Sequence, residues 1–462
     1  MASNTHPELS EPSGTKQNRQ QSTSKGYTLN STFLNLKSSS LRGVPFPNIF
    51  NWLKVKRHDD NLGPYWRVHN KLYDLNDFIA KHPGGADWLQ FTKGIDITEA
   101  FEASHICSFP KVQQILAKYY VKDIESPRNS PYTFDDNGFY RTLKRRADPV
   151  LQQVGSGSTS KILMIQDSLA ITYLILASLG IATSSRSLQM LAGFALGMCS
   201  IGGHNFLHKA DNWRQYYLDL CPLSSFEFRI THAFSHHLYP NTVLDFEVLI
   251  AEPLIKWLPN STKNVIQKYL APCYFYFLYS IFMLTQLIGR IISLVNGWQK
   301  LRWENLIVLL ELGAILTFAP TIWMGLTSFL LIVMTASFWF VFVGFAHHHP
   351  NTFHDGDEPR PEPDFGLCQL DATMGKTDWF HKPLISVLVT FGEHPFHHLF
   401  PTVCHSKLEY LKPMVYQTLQ EFGEDLPKAS QLELFLGAQV QMGRTKGNTW
   451  KGRKINRKLM NG

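Results

Sequence analysis

Residues 1–53 are polar and rich in Ser, Asn, Gln and Lys, with too few apolar positions for a core of their own; they are expected to be disordered or loosely docked. From 54 to 124 short apolar stretches recur between polar ones. This pattern predicts a compact α+β domain: a strand near Tyr65–Val68, an extended piece at Tyr73, a helix from about Asn76, a tight turn at His82–Gly85 and helical pieces as far as Tyr120. Pro127, Pro131, Pro149 and the Gly/Ser run after Val154 mark 125–158 as a flexible linker. Beyond it the chain turns oily. Ile162–Thr183 and Leu188–Ile201 predict a transmembrane hairpin, since a bilayer core takes about 20 residues of helix. Polar, histidine-bearing sequence fills 202–245, an amphipathic piece spans 248–258, and further apolar runs cover Tyr269–Val295, Leu306–Trp323 and Leu326–Ala346. An all-α membrane-embedded bundle with a histidine-rich cap is therefore expected over 159–435, followed by a basic tail over 436–462.

Three apolar runs separate the histidines of 202–245 from His394. Histidines that build one site must share one side of the bilayer, so an even number of crossings must lie between them. One run is expected to lie in the interface or turn back, and the aromatic stretch Tyr274–Tyr279, with Arg290 downstream, marks the first of the three.

Composition adds three constraints. The net charge is +7, but the basic residues gather near the ends of apolar runs and in the tail, at Arg444, Lys446, Lys451, Arg453, Lys454, Arg457 and Lys458. No single periodic stripe carries them, so an anionic membrane surface is the expected partner and nucleic acid is not. Six cysteines without a CxxC pair read as reduced thiols of a non-oxidising compartment. The first thirty residues hold no apolar core of a signal peptide, so no cleaved secretory signal is expected and this end is placed in the cytosol.

Two histidines of the polar domain suit a haem. Iron with two axial imidazoles has no open position for oxygen and only passes electrons, and its protein must present the two rings from opposite walls of a crevice. His82 sits in Lys-His-Pro-Gly-Gly, whose glycines let the chain turn tightly beside a flat macrocycle; His105 ends the run Gly94-Ile-Asp-Ile-Thr-Glu-Ala-Phe-Glu-Ala-Ser-His105, and Phe78, Leu89 and Phe101 are plausible walls. With Tyr65-Trp66 and Leu72-Tyr-Asp-Leu-Asn-Asp-Phe78, this block resembles the cytochrome b5 domain over about 60–122. The resemblance implies haem b ligated by His82 and His105 and reduced by NADH-cytochrome b5 reductase. Ile106-Cys107 departs from the small residue common after the second histidine.

The remaining chemistry lies in the other histidines, of which the chain has 19 in all. His204 and His208 are four apart and face one way on a helix; His232 and His236 repeat that spacing, with His237 offset toward a second ion; His394, His397 and His398 form a third cluster in Gly392-Glu-His-Pro-Phe-His-His-Leu-Phe-Pro401. Zinc is the default for one such cluster. Eight imidazoles beside apolar runs exceed one tetrahedral site and suit two six-coordinate irons. The pattern H-x3-H, H-x3-H-H, H-x2-H-H resembles the membrane fatty acid desaturase and hydroxylase superfamily over about 160–430. With the cytochrome b5-like block ahead of it, the chain resembles the front-end desaturases, except that His394 stands where glutamine is common; its order of elements is also similar to that of insect cytochrome b5-related proteins.

This resemblance implies two non-haem irons, held by the eight catalytic histidines His204, His208, His232, His236, His237, His394, His397 and His398. It further implies a polar residue near His347-His-His349 that completes the shell, for which His348 and His349 are the expected metal ligands. Asp371, in the stretch Gln369–Thr373, is expected to orient a ring N–H. His6, His58, His69, His381 and His405 stand alone in the sequence and are expected to be solvated or in the core. The implied enzyme is a multi-pass protein of the endoplasmic reticulum membrane with its haem domain and histidines facing the cytosol. Its substrate is a lipid acyl chain of acyl-CoA or phospholipid. Desaturation is the leading outcome; hydroxylation of an acyl or sphingoid chain, and a catalytically silent electron-transfer protein, remain open.

Overall fold

The computed structural model of the chain describes residues 31–37, 47–107, 109–379 and 382–450; the expectations for residues 1–30, for His381 and for the tail beyond 450 fall outside them. The haem half opens with α1 (Ile49–Asp60), capped by Asn48, whose Oδ1 accepts from Phe50 N at 2.8 Å. Two short strands, β1 (Trp66–Val68) and β2 (Lys71–Tyr73), form an antiparallel hairpin that pairs Trp66 with Tyr73. Helices α2 (Ala86–Phe91), α3 (Thr98–Ser104) and α4 (Phe109–Ala117) follow, and β3 (Tyr120–Asp123) closes a three-stranded sheet in the order β1-β2-β3. Trp66, fully buried under this sheet, donates its indole N–H to Thr92 Oγ1 at 3.1 Å and ties the sheet to α2.

Prolines mark 125–158 as a linker, yet the structure places α5 (Phe139–Val154) in it, with Pro149 inside the helix. Tyr140, Leu143, Ala147 and Leu151 recur at helical spacing and are all buried. Lys144, one turn after Tyr140 and buried on the same face, and neighbouring Arg141 reach the haem half. Buried Glu102 of α3 accepts from Arg141 at 2.6 Å, from Lys144 at 2.8 Å and from His69 at 2.8 Å. Glu99 pairs with Arg128 and accepts from Ser130 at 2.6 Å and from Tyr239 of the catalytic half at 3.1 Å. The cause is physical: glycines, Gly138 and Gly155, bound the helix, and the apolar stripe docks it.

Three helices among the described residues are long and apolar enough to cross a bilayer: α6 (Ser160–Ala182), α7 (Arg186–Leu207) and, later in the chain, Ile322–Phe342. Thr159 and Ser185 cap α6 and α7, accepting from Ile162 N and Leu188 N. Met164, Ile171, Leu174 and Ile175 stand exposed on α6, which is the composition of a lipid-facing surface. After short α8 (Ser225–Phe228) and α9 (Phe246–Leu249), α10 (Ala271–Ser280) and α11 (Phe282–Val295) form a pair bent by 66°. Then α12 (Asn305–Phe318) and α13 (Ile322–Phe342) make a second hairpin.

The crossings resolve the parity question. His204 near the end of α7 and His347 just past α13 belong to one nest of rings, so both helices end on the same face. With α12 leaving that face and α13 returning to it, the bent pair must enter and turn back. Side chains agree: Ser293 near the end of α11 accepts from Asn48 of the haem half at 2.7 Å, and Arg302 just beyond pairs with Asp87 at 2.8 Å. The turn falls at Ile281, immediately after the aromatic stretch expected to mark it.

On the same face the chain completes its cap with α14 (Phe365–Asp371), α15 (Leu384–Val389), α16 (His394–Leu399), α17 (His405–Glu421) and α18 (Gln431–Gly443). The last has a full capping box between Ser430 and Glu433.

Candidate functional site

Two sites lie side by side at this face. In the first, His82 and His105 face each other across a cavity of about 590 Å³, their ring centroids 6.5 Å apart. Phe78, Leu89 and Phe101 line it, as the sequence led us to expect. His82 donates Nδ1–H to Gly85 O at 3.0 Å, and His105 donates its own to Phe101 O at 2.8 Å, which leaves both Nε2 lone pairs free. Gly84 is required here, because a Cβ on it would come within 2.8 Å of the His82 ring. Burial lowers the pKa of both rings, that of His105 to about 4, so both are neutral and in the ligating form. A flat, apolar slot between two neutral imidazoles with free Nε2 atoms fits a haem.

In the second site nine buried rings converge through Nε2. His204, His208, His232, His237 and His397 form a group of five, and His236, His347, His394 and His398 a group of four. In the first group Nε2 of His204 lies 2.7 Å from that of His232, 3.0 Å from His208 and 3.2 Å from His397. In the second, His236 meets His347 at 3.1 Å, and His347 also meets His394. The stacked rings of His237 and His398, 4.0 Å apart, join the two groups.

The protons sit on the outer atoms. His236 Nδ1–H donates to Asp245 at 2.8 Å, His232 to Glu247 at 2.8 Å, His347 to Ala372 O at 3.1 Å and His398 to Gln369 Oε1 at 2.9 Å. Each such bond fixes the tautomer and turns an Nε2 lone pair inward, where lone pairs facing one another are stable only around a cation. His398 Nε2 is buried with no protein partner. The donor set of all imidazole nitrogens, five and four, fits a pair of borderline ions such as iron with positions left over. Burial holds His208, His237, His394, His397 and His398 well below the ordinary imidazole range. Burial also opposes charge on His236, but Asp245 and Glu247 outweigh it and push that ring up to about 9.

All eight expected ring positions come together, with changes of partnership. His232 was paired with His236 by helical spacing; instead Arg229–His236 is wound as a π-helix, with His237 N donating to His232 O at 2.8 Å, so His232 and His237 share the group of five and His236 faces the other. In α16, His394 and His398, one turn apart, share the group of four while His397 points to the five. Phe391 and Glu393, with left-handed φ of 49° and 57°, set the entry to that helix.

His348 and His349, the ligands expected from the sequence, join neither group. His347 is the ring that joins the group of four, turned in by the short 3₁₀ turn Phe345–His347. His348 stacks flat on Trp257 at 3.9 Å, and His349 packs on α18, where a Cβ on Gly437 would lie 2.1 Å from its ring. Asp371 forms an ion pair with Arg360 at 3.0 Å, and in its stretch Gln369 is the side chain that meets a ring. His405, which stands alone in the sequence, is buried with its centroid 4.7 Å from that of His397 and its Nδ1 2.8 Å from Asn205 Oδ1.

The rings border two cavities, and His232 of the five lines the same one as rings of the four. His208 and His237 of the five also line the haem cavity. His236, His347 and His394 of the four line another, of about 230 Å³, whose remaining walls are mostly apolar: Phe228, Ile255, Tyr279, Phe282 and Phe340 among them.

Known proteins share both halves. Residues 51–125 match the Cytochrome b5-like Heme/Steroid binding domain and residues 186–426 match Fatty acid desaturase. The chain is 35% identical over 404 residues to the cytochrome b5-related protein of Drosophila melanogaster, which covers 86% of this chain and 92% of that one. It is 21% identical over 426 residues to the acyl-lipid (8-3)-desaturase of Mortierella alpina, covering 81% and 91%, and 23% identical over 425 residues to the delta(5) fatty acid desaturase A of Dictyostelium discoideum, covering 80% and 88%. No solved structure matches. A haem slot, a nest of imidazoles at the membrane face and relatives aligned along most of their length all lead to one assignment: the chain belongs to the fatty acid desaturase family, as a membrane oxidoreductase with a cytochrome b5-like haem domain fused ahead of its metal-binding domain.

Proposed function

We propose that the chain desaturates fatty acyl chains of acyl-CoA or phospholipid, using oxygen and electrons passed from NADH through a reductase to its own haem. The reading includes a cytosolic orientation of both sites at the endoplasmic reticulum membrane. It also assigns metal binding to His204, His208, His232, His236, His237, His394, His397 and His398, with His347 as the ninth ligand. The observation that carries it is the apolar cavity of about 230 Å³ walled on one side by rings of the four-imidazole group and on the other by the bent pair of membrane helices.

When bound, iron of this kind supplies oxygen chemistry strong enough for an unactivated methylene C–H bond, and a bis-imidazole haem supplies electrons singly. The rest is the work of the chain. Phe228, Ile255, Phe282 and Phe340 offer an apolar sleeve that binds methylenes and excludes water, at about 25 cal/mol for each Å² of apolar surface covered. Trp257 and His348, stacked on each other, line the same sleeve and fix its shape beside His347. Asp245, Glu247 and Gln369 hold the Nδ1 protons of His236, His232 and His398, so that the inward nitrogens stay in place through a catalytic cycle. Two of the relatives are named as acyl-lipid and fatty acid desaturases, which makes acyl lipids the first substrates to offer.

The test is lipid analysis of cells expressing the chain with added acyl substrates, beside the His236→Ala/His237→Ala double variant. New double bonds with the wild type alone are the expected result. A hydroxylated chain would favour the hydroxylase reading. Identical profiles from both, with purified wild type carrying haem but no iron, would end the proposal and leave an electron carrier.

A further inference from the structure

The haem cavity is not built by the haem domain alone. Opposite His82 and His105 its wall comes from the catalytic half: His208 and Lys209 beyond α7, His237 on the π-helical turn and Thr402 after α16. Among the described residues lining the cavity, Lys209 is the one Lys or Arg, and none is Asp or Glu. Haem brings two carboxylates with it, and carboxylates in an apolar slot require a cation or donors.

The Lys209 ammonium is placed for that part. Its Nζ lies over the Phe206 ring, 5.2 Å from the centroid, and donates to Ser158 Oγ at 2.7 Å. Its other polar neighbour is the Cys404 sulfur, so the ammonium has no carboxylate partner among the described residues. Ser104, Ser156 and Thr402 bring hydroxyl groups to the same cavity, and Thr402 Oγ1 donates to Ser104 O at 3.3 Å across the two halves.

We propose that Lys209 binds a haem carboxylate, so that the catalytic half completes the haem site and holds the haem against the wall made by His208 and His237. The haem then belongs to the junction of the two halves.

The experiment uses the purified full-length chain in detergent. For wild type, Lys209→Gln and Lys209→Arg, the haem midpoint potential is titrated and haem transfer to excess apomyoglobin is timed. A nearby positive charge favours the ferrous form, so Lys209→Gln is expected to lower the midpoint and, with a charge-assisted bond lost, to speed haem transfer by about tenfold or more. Lys209→Arg is expected to stay close to wild type in both. Rebuilding each protein with haem dimethyl ester, whose carboxylates are blocked, should abolish the difference in transfer rate between wild type and Lys209→Gln, while the ammonium goes on acting on the midpoint through space. A Lys209→Gln protein that releases haem no faster than wild type, or a transfer-rate difference that persists with the ester, overturns the proposal.

Should Lys209→Gln fail to fold, labelling of wild-type Lys209 by an amine reagent, read by peptide mass spectrometry, decides: protection with haem and labelling with the ester support it, and equal labelling overturns it. None of these readouts needs lipid turnover, so they fail or succeed independently of the desaturase reading.

Discussion

At His398 one hydrogen bond decides what the ring can do. Its Nδ1 proton is held by Gln369 Oε1 at 2.9 Å, which leaves the buried Nε2 as an acceptor with no protein partner. Replacing Gln369 by Leu keeps the volume and removes the acceptor, so the ring loses its orientation and its preferred tautomer. Iron affinity or turnover is expected to fall by about 10- to 100-fold, while the haem spectrum stays intact, because Gln369 does not line the haem cavity. Iron-to-protein ratio and the Soret band measure the two sides; unchanged iron content and rate would remove Gln369 from the site. His204 and His208 were legible in the sequence because helical spacing alone puts them on one face. His347 was not. In a run of three histidines spacing cannot choose, and the choice is made by the 3₁₀ turn that directs His347 inward and by Trp257, distant in sequence, which takes His348.

Between elements, the metal site depends on how closely α7 and α13 lie. Gly193 and Gly197 share one face of α7, and the backbone of α13 runs against them: a Cβ on Gly193 would lie 2.6 Å from Ile332 O and 2.5 Å from Thr335 Cβ. Gly193→Ile should therefore push the two helices apart, at a cost of about 1–3 kcal/mol or more for overpacking. Because α7 carries His204 and His208 and α13 leads to His347, the same shift separates the two groups of rings. The expected outcome is a lower thermal midpoint in detergent together with lost iron; a variant that keeps both would show the helices free to move without disturbing the site. The hairpins themselves were readable from long apolar runs, and the turn-back of α10 and α11 from the need for even crossings. The π-helical winding at Arg229–His236 was not, since residue types do not mark an i→i+5 bond, and one residue of extra winding exchanges the partners of His232.

Across the whole molecule, the haem half is fastened to the catalytic half, and α5 is one of the fastenings. Sequence composition suggested a tether there because prolines and glycines dominate its ends; the buried stripe Tyr140, Leu143, Ala147 and Leu151 between them determines what the segment does. Beside this stripe Arg141 and Lys144 reach Glu102, which lies only three residues before His105. Burial works against ionised Glu102, but the hydrogen bond from His69 and the charges of Lys144 and Arg141 prevail and bring its pKa from an ordinary 4.5 down to about 2. A carboxylate lowered on folding adds stability that is complete above pH 4.5 and is lost as the pH falls toward 2. Glu102→Gln keeps the shape and leaves Lys144 buried without its counter-charge, a loss of about 3–5 kcal/mol for a broken buried pair. Thermal unfolding of wild type and Glu102→Gln in detergent, followed across pH, should thus show a wide gap near neutrality. The gap should narrow below pH 4.5 as the carboxylate of the unfolded wild-type chain takes up a proton that the folded one still refuses. A gap of constant width from pH 7 to pH 3 would mean that Glu102 holds the halves together by packing, with its charge of no account, and the haem half would then be docked chiefly by apolar contacts such as Trp52 edge-on to Phe234 at 6.2 Å.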